Sequence, residues 1–113
     1  MSDPQPTDDT TTDDTTTDGA FDTVVIDNPA ESRYELRIGD ELVSLADYRV
    51  AGNVVTIPHV ETRPSHGGRG FAALLMDGVI DDLRARSLTI RPSCPYAAAY
   101  MRDRPETHDL YAA

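Results

Sequence analysis

The sequence predicts an α/β (α+β) fold: a compact, mixed, mainly antiparallel sheet with a central helix and a short C-terminal helix. Three observations predict it. Alternating or β-branched runs separated by glycine, asparagine and proline turns fill residues 23–62. Apolar residues at helical spacing follow over 70–86. A further β-branched run, 87–92, then leads into a shorter helical run closed by Pro105.

In chain order, TVVID (23–27) reads as a strand closed by Asn28 and Pro29. YELRI (34–38) alternates apolar with polar, and Gly39 and Asp40 turn it into ELVSLADYRV (41–50), which together make a hairpin. A second turn, Ala51-Gly52-Asn53, opens NVVTIPHVET (53–62), a strand with Pro58 inside it. Proline cannot donate to a ladder, so a bulge or opened pairing is expected at Pro58, leaving backbone free for a ligand. The helix over 70–86 carries Phe71, Leu74, Leu75, Val79 and Leu83 as its expected core stripe. Arg84 and Arg86 suit the negative end of its dipole, and Asp82 is placed to pair with Arg86. SLTIRP (87–92) is the last strand, and CPYAAAYMRDR the second helix.

Residues 1–20 hold no large apolar side chain beyond Met1 and read as a disordered acidic Thr/Asp-rich tail, which leaves 21–113 as one domain. Six of the twenty acids lie in the first eighteen residues, so the remainder, fourteen acids against ten arginines and no lysine, is only mildly acidic. That balance argues against nucleic acid, whose phosphates require a concentrated positive field. The acid excess and the absence of lysine suggest a halophilic, salt-rich cytoplasm. Neither a membrane span nor a signal peptide is legible, so a cytoplasmic location is expected. The single cysteine, Cys94, excludes an internal disulfide.

The stretch SHGGRGFAALL (65–75) sets three glycines before a helix. The first N–H groups of a helix lack internal partners, and with little side chain around them they form an anion site suited to a diphosphate. Gly70 and Ala72 are small enough for close approach, and Arg69 can add a charge-assisted contact. The structural alternative is that Ser65 caps the helix and the glycines only turn the chain. No Lys-Ser or Lys-Thr follows, which removes the P-loop pattern, and GRGFAA lacks the preceding parallel unit of a dinucleotide fold. His59-Val60-Glu61 and Pro92-Ser93-Cys94 approach a zinc deaminase signature, but position 97 is alanine where a second cysteine is needed, so no metal is expected.

HVETRPSHGGRGFAALL, RPSCPYAAAYMRDRPE and the closing HDL, read together over residues 33–111, resemble the small, single-domain branch of the Gcn5-related N-acetyltransferases. In the wider superfamily the loop reads Arg or Gln, two residues, Gly, one residue, then Gly or Ala. Gly70 and Ala72 match its last positions, while Gly67 stands where Arg or Gln is usual. The resemblance implies acetyl-CoA as cofactor, an amine acceptor that is small or macromolecular, and a pantetheine arm lying where the interrupted strand splays from its neighbour. It implies cofactor contacts at His59 and Val60, along Gly67, Gly68, Arg69, Gly70, Phe71 and Ala72, and at Cys94 and Tyr100.

Cys94 precedes Pro95, which favours the first helical position, so the thiol is expected at a helix N-cap where unpaired amides stabilise a thiolate. It reads equally as a small buried hydrophobe. Two routes follow: Cys94 takes the acetyl group and passes it on, or the amine attacks directly once Glu61 or a water chain has removed its proton. Glu61 is the expected base with His59 second, and Tyr96 and Tyr100 are candidate donors to the leaving thiolate. Tyr96 and Tyr100 can also simply pack, and RDRPETHDL is expected to fix the end of the chain. A coenzyme-A-binding module without turnover and a protein-interaction domain remain as alternatives.

Overall fold

The alternating runs and their turns fold into a meander. In the computed structural model, which describes residues 22–112, β1 (Thr23–Asn28), β2 (Arg33–Ile38), β3 (Glu41–Ala51) and β4 (Val54–Thr62) pair antiparallel in chain order. Helix α1 (Phe71–Ala85) then crosses over to β5 (Thr89–Pro92), which pairs parallel with β4, and α2 (Pro95–Arg102) follows. The expected tail, residues 1–20, lies outside the described residues. The bulge expected at Pro58 is present. Asp47 faces His59 and Arg49 faces Thr56, so Ile57 and Pro58 together stand opposite Tyr48.

One face of the sheet carries the core. Leu36, Val43, Ala46, Val55 and Ile57 from the strands meet Leu75, Met76, Val79 and Leu83 of α1 and Ala97 and Met101 of α2. Leu74 departs from the expected stripe, for it is 44% exposed while Met76 and Ile80 are buried. Its position lies about 100° round the helix from Leu75, on the side away from Met76, whereas Ile80 lines the same hollow as Tyr100 of α2.

A glycine inside α1 costs about 1 kcal/mol of helix propensity, and at Gly78 packing explains it. A Cβ built there would stand 2.7 Å from Val25 Cβ, so only glycine lets the helix settle on β1. At its other end α1 is tied down by Asp82, which accepts from the Tyr34 hydroxyl at 2.5 Å and pairs with Arg86 at 3.1 Å, as the spacing predicts. Arg86 also reaches Asp27, which accepts from the Tyr48 hydroxyl at 2.6 Å. Burial first, and then this carboxylate, push the Tyr48 phenol up to about 12. The closing segment does fix the end of the chain: Arg84 binds Asp109 at 2.7 Å, and the Ala112 amide donates to the Ile90 carbonyl along the outer edge of β5.

No described element packs on the other face of the sheet. Register builds cross-strand rows there, Asn28–Arg33–Asp47–His59 and Ile26–Glu35–Leu45–Glu61. Glu35 is fully buried among them. Burial pushes its carboxyl up, but hydrogen bonds from Asn28 at 2.9 Å, Arg33 at 2.7 Å and Arg37 at 2.8 Å outweigh that and hold it at about 2.

Two outcomes are expected. Gly78→Ala lowers stability by about 1 to 2 kcal/mol in denaturant unfolding, and Val25→Ala costs less in that background than alone; strictly additive losses would contradict the contact. Because the Glu35 carboxyl lies below its ordinary 4.5, its contribution is complete above that value and is lost as pH falls through about 2. Unfolding midpoints measured across that window lose this component of the acid slope in Glu35→Gln.

Candidate active site

The carbonyl oxygen of Ile57 accepts three donors: the Ser93 amide at 3.1 Å, the Cys94 amide at 2.9 Å and the Ser93 hydroxyl at 3.3 Å. The next residue, Pro58, has no N–H, and pairing between β4 and β5 ends at Ile57 and Pro92. Beyond that point β4 runs on to Thr62 against β3 alone, while the chain after β5 turns into α2. The two parallel strands therefore diverge. Both helices start from the C-terminal ends of these strands, so the gap opens between the two helix N-termini, the place where α/β sheets receive ligands.

The loop between β4 and α1 is built to present bare backbone. Arg63 anchors its start, its amide donating to Val43 at 2.8 Å and its side chain to the Leu42 carbonyl at 3.0 Å. A single 3-10 turn, Pro64–His66, follows, and His66 sets its ring edge-on to Phe71 at 5.8 Å. Ser65 does not cap α1: its hydroxyl pairs with His66 Nδ1 at 2.9 Å. The N-cap is Gly70, left-handed at φ 80° and without a capping side chain, and Gly68 is left-handed at φ 75°. Among the described residues no backbone carbonyl takes the amides of Gly68, Arg69, Gly70 or Ala72. A Cβ at Gly68 or Gly70 would meet nothing within 4 Å, so open space lies against these groups. Gly67, in contrast, has φ −66° and ψ 152°, an extended conformation open to any residue.

His59 and Glu61 meet on one strand face, Nε2 to Oε1 at 2.9 Å, with 53% and 57% of their side chains exposed. Val60 between them points the other way, against the core. This pair lies on the open face of the sheet, whereas Cys94 is buried on the helix-bearing face. Cys94 is the N-cap of α2, with Pro95 at the first helical position, as its sequence context predicts. Tyr96, one step further, is 39% exposed, and burial raises its phenol. Tyr100 is buried; its hydroxyl donates to Asp77 of α1 and the Arg104 guanidinium lies 3.9 Å over its ring. Burial and then the Asp77 carboxylate push that phenol up, which keeps it a donor. The structure thus brings His59 to Glu61 and Cys94 to the end of the β4–β5 gap, and binds Tyr100 into the contact between the helices.

Three supporting residues had no sequence signal. Ser44 is buried, donating to the Glu61 carbonyl at 2.8 Å and pairing with the Thr62 hydroxyl at 2.9 Å, which steadies the divergent half of β4. Its partners lie seventeen and eighteen residues away, set by strand register alone. Asp77 and Ser93 likewise act through partners distant in sequence. Among the described residues no three His, Cys, Asp or Glu side chains are arranged to hold a metal ion.

Residues 33–110 match the family model described as GCN5-related N-acetyl-transferase. The fold is similar to the solution structure of a GCN5-like protein from Staphylococcus aureus, with TM-score 0.62 and 24% identity over 80% of this chain and 88% of that one. It is also similar to the ribosomal-protein-S18-alanine N-acetyltransferase from Escherichia coli, with TM-score 0.54 and 18% identity over 63% of this chain and 49% of that one. No curated protein matches the chain.

The loop geometry separates its glycines by experiment. Gly70→Ala costs about 1 to 2 kcal/mol, because a Cβ is strained at positive φ, whereas Gly67→Ala costs under about 0.5 kcal/mol. Denaturant unfolding of the two variants reads the difference, and equal costs would contradict the loop conformation.

Proposed function

We propose that this chain, which belongs to the GCN5-related N-acetyltransferase family, binds acetyl-CoA at the N-terminus of α1 and moves the acetyl group to a primary amine. The observation that supports this reading is the set of amides at Gly68, Arg69, Gly70 and Ala72, which no backbone carbonyl among the described residues takes, beside the gap that opens after Ile57. Those residues fit the cofactor chemically. Several N–H donors at the positive end of a helix match the charge of a diphosphate, and glycine at 68 and 70 leaves the approach clear. Arg69, exposed on the loop, adds a guanidinium to the same anion.

When bound, acetyl-CoA supplies an acetyl group already activated as a thioester. The chain's own task is to hold that group at the gap and to take a proton from the acceptor. An alkyl amine with a pKa near 10.4 is almost wholly protonated at neutral pH and is no nucleophile until deprotonated. The exposed Glu61–His59 pair is the acceptor of that proton. With Nε2–H donated to Glu61, the imidazole keeps Nδ1 as a second acceptor. Both groups stand more than half exposed on a face that no described element covers, which admits an amine on a small molecule or on a larger one. To Tyr96, in the first turn of α2 and 39% exposed, we assign the return of a proton to the departing thiolate.

A second route is favoured by one feature, the Cys94 thiol at an α2 N-terminus with no side-chain cap. In that route the Cys94 sulfur bonds to the acetyl carbon as the thioester to coenzyme A breaks, and the amine then displaces it, so one thioester is exchanged for another before the amide forms. Direct transfer remains the main reading, because Cys94 is 6% exposed and packed within the core cluster.

Coenzyme A at 100 times its dissociation constant is expected to add about 2.7 kcal/mol of stability, read as a raised melting temperature. An unchanged melting curve at saturation would point to an interaction domain, and stabilisation without transfer across an amine panel to a module without turnover. Glu61→Gln is expected to lower kcat by about 10²-fold or more while the coenzyme A shift persists. Cys94→Ala is expected to keep turnover; its loss, with one acetyl group found on Cys94 by peptide mass analysis, would establish the covalent route.

A further inference from the structure

The two edges of the sheet are treated differently. The outer side of β5 is covered, since Ile90 bridges to Tyr111 and receives the Ala112 amide at 2.9 Å. No described residue pairs with the outer side of β1. Edge strands usually carry a proline, a lysine or a bulge that discourages pairing. β1, TVVIDN, has none of these; its one charge, Asp27, is held by Tyr48 and Arg86, and its register with β2 runs unbroken from Thr23 to Asn28.

The strand is also held in shape. Val25 fills the space left by Gly78 of α1, Asp27 is bound by Tyr48 and Arg86, and Asn28 donates to Glu35. A strand held in this way, whose outer N–H and C=O groups no described residue takes, needs little ordering before it pairs. On the open face it shows Val24 and Ile26, 47% and 39% exposed.

We propose that β1 pairs antiparallel with β1 of a second copy, about a two-fold axis at Val25, joining two sheets into one. Residues directly opposite in an antiparallel pair share a face, which restricts the symmetric registers to those centred on a residue. Centred on Val25, Val24 meets the partner's Ile26 on the open face, Thr23 meets the partner's Asp27, and Asp22 meets the partner's Asn28. Apolar side chains face apolar ones, and each carboxylate faces a neutral hydrogen-bonding group. Centring on Ile26 sets Val25 against the partner's Asp27, and centring on Val24 sets Ile26 against the partner's Asp22, each placing a carboxylate on an apolar side chain. Helix α1 lies chiefly over β2 and β3, inboard of the edge, so the second copy's helix has room. One six-residue strand pair is narrow beside the roughly 1,200 Å² of a standard interface, so the dimer is concentration-dependent.

Sedimentation of the full chain tests this. The mass is expected to rise from 12.4 kDa towards twice that value with concentration. Val24→Glu and Ile26→Lys each put an unpaired charge against an apolar neighbour and are expected to weaken association at least tenfold. Together in one chain they restore it, because Glu at 24 then faces Lys at 26 of the second copy at both ends of the axis. Circular dichroism at a concentration where wild type is monomeric checks that each variant is folded. A wild type that stays monomeric at every concentration, a dimer indifferent to both single changes, or a double variant as weak as the singles overturns the proposal.

Discussion

The carbonyl of Ile57 holds the site together. By taking the amides of Ser93 and Cys94 and the Ser93 hydroxyl, it ends the parallel pairing, turns the chain into α2 and fixes Cys94 as that helix's N-cap. Pro58 completes the arrangement from the other strand, since it cannot extend the ladder and its bulge against Tyr48 bends β4 away. Were β4 and β5 paired to their ends, the space between the two helix N-termini would be closed by backbone. The opening is thus a property of main-chain hydrogen bonding, and the side chains around it are arranged on a frame that already exists.

That frame divides the chemistry between two faces of one sheet. The helix-bearing face holds the apolar core, the buried Cys94 and the Tyr100–Asp77 bond that ties α2 to α1. The open face holds charge: Glu35 satisfied by three donors, and His59 with Glu61 on the half of β4 that has left β5. The desolvation cost of that buried carboxylate is offset by its donors, which include the two half-buried arginines Arg33 and Arg37 at 2.7 and 2.8 Å. The core side positions the glycine loop and the gap; the open side carries the exposed His59–Glu61 pair to which the proposed reading gives the acceptor's proton.

Much of this was legible in the chain. Alternation and glycine turns gave the meander, Pro58 marked the break in β4, and Cys94-Pro95 marked the start of α2. Those features depend on residues adjacent in sequence, where backbone rules act directly. What could not be read depends on register or on helix rotation. Leu74 fits the helical period as well as Met76 does, and only the placement of α2 decides which is covered. Ser44, Asp77 and the threefold satisfaction of Glu35 need partners brought from other elements, and Gly78 looks like a helix defect until Val25 is set against it. The superfamily's Arg or Gln is absent at Gly67, and the extended backbone there shows why a glycine is not required by conformation.

The central claim is that amides around the start of α1 hold the diphosphate of coenzyme A. Following the backbone amide resonances of the full chain by NMR during a coenzyme A titration tests it most directly. The account predicts that the largest shifts fall on Gly68, Arg69, Gly70 and Ala72, with a second group along His59, Val60 and Cys94 at the strand gap. Saturating coenzyme A that leaves the four loop amides unmoved while shifting residues elsewhere would contradict it.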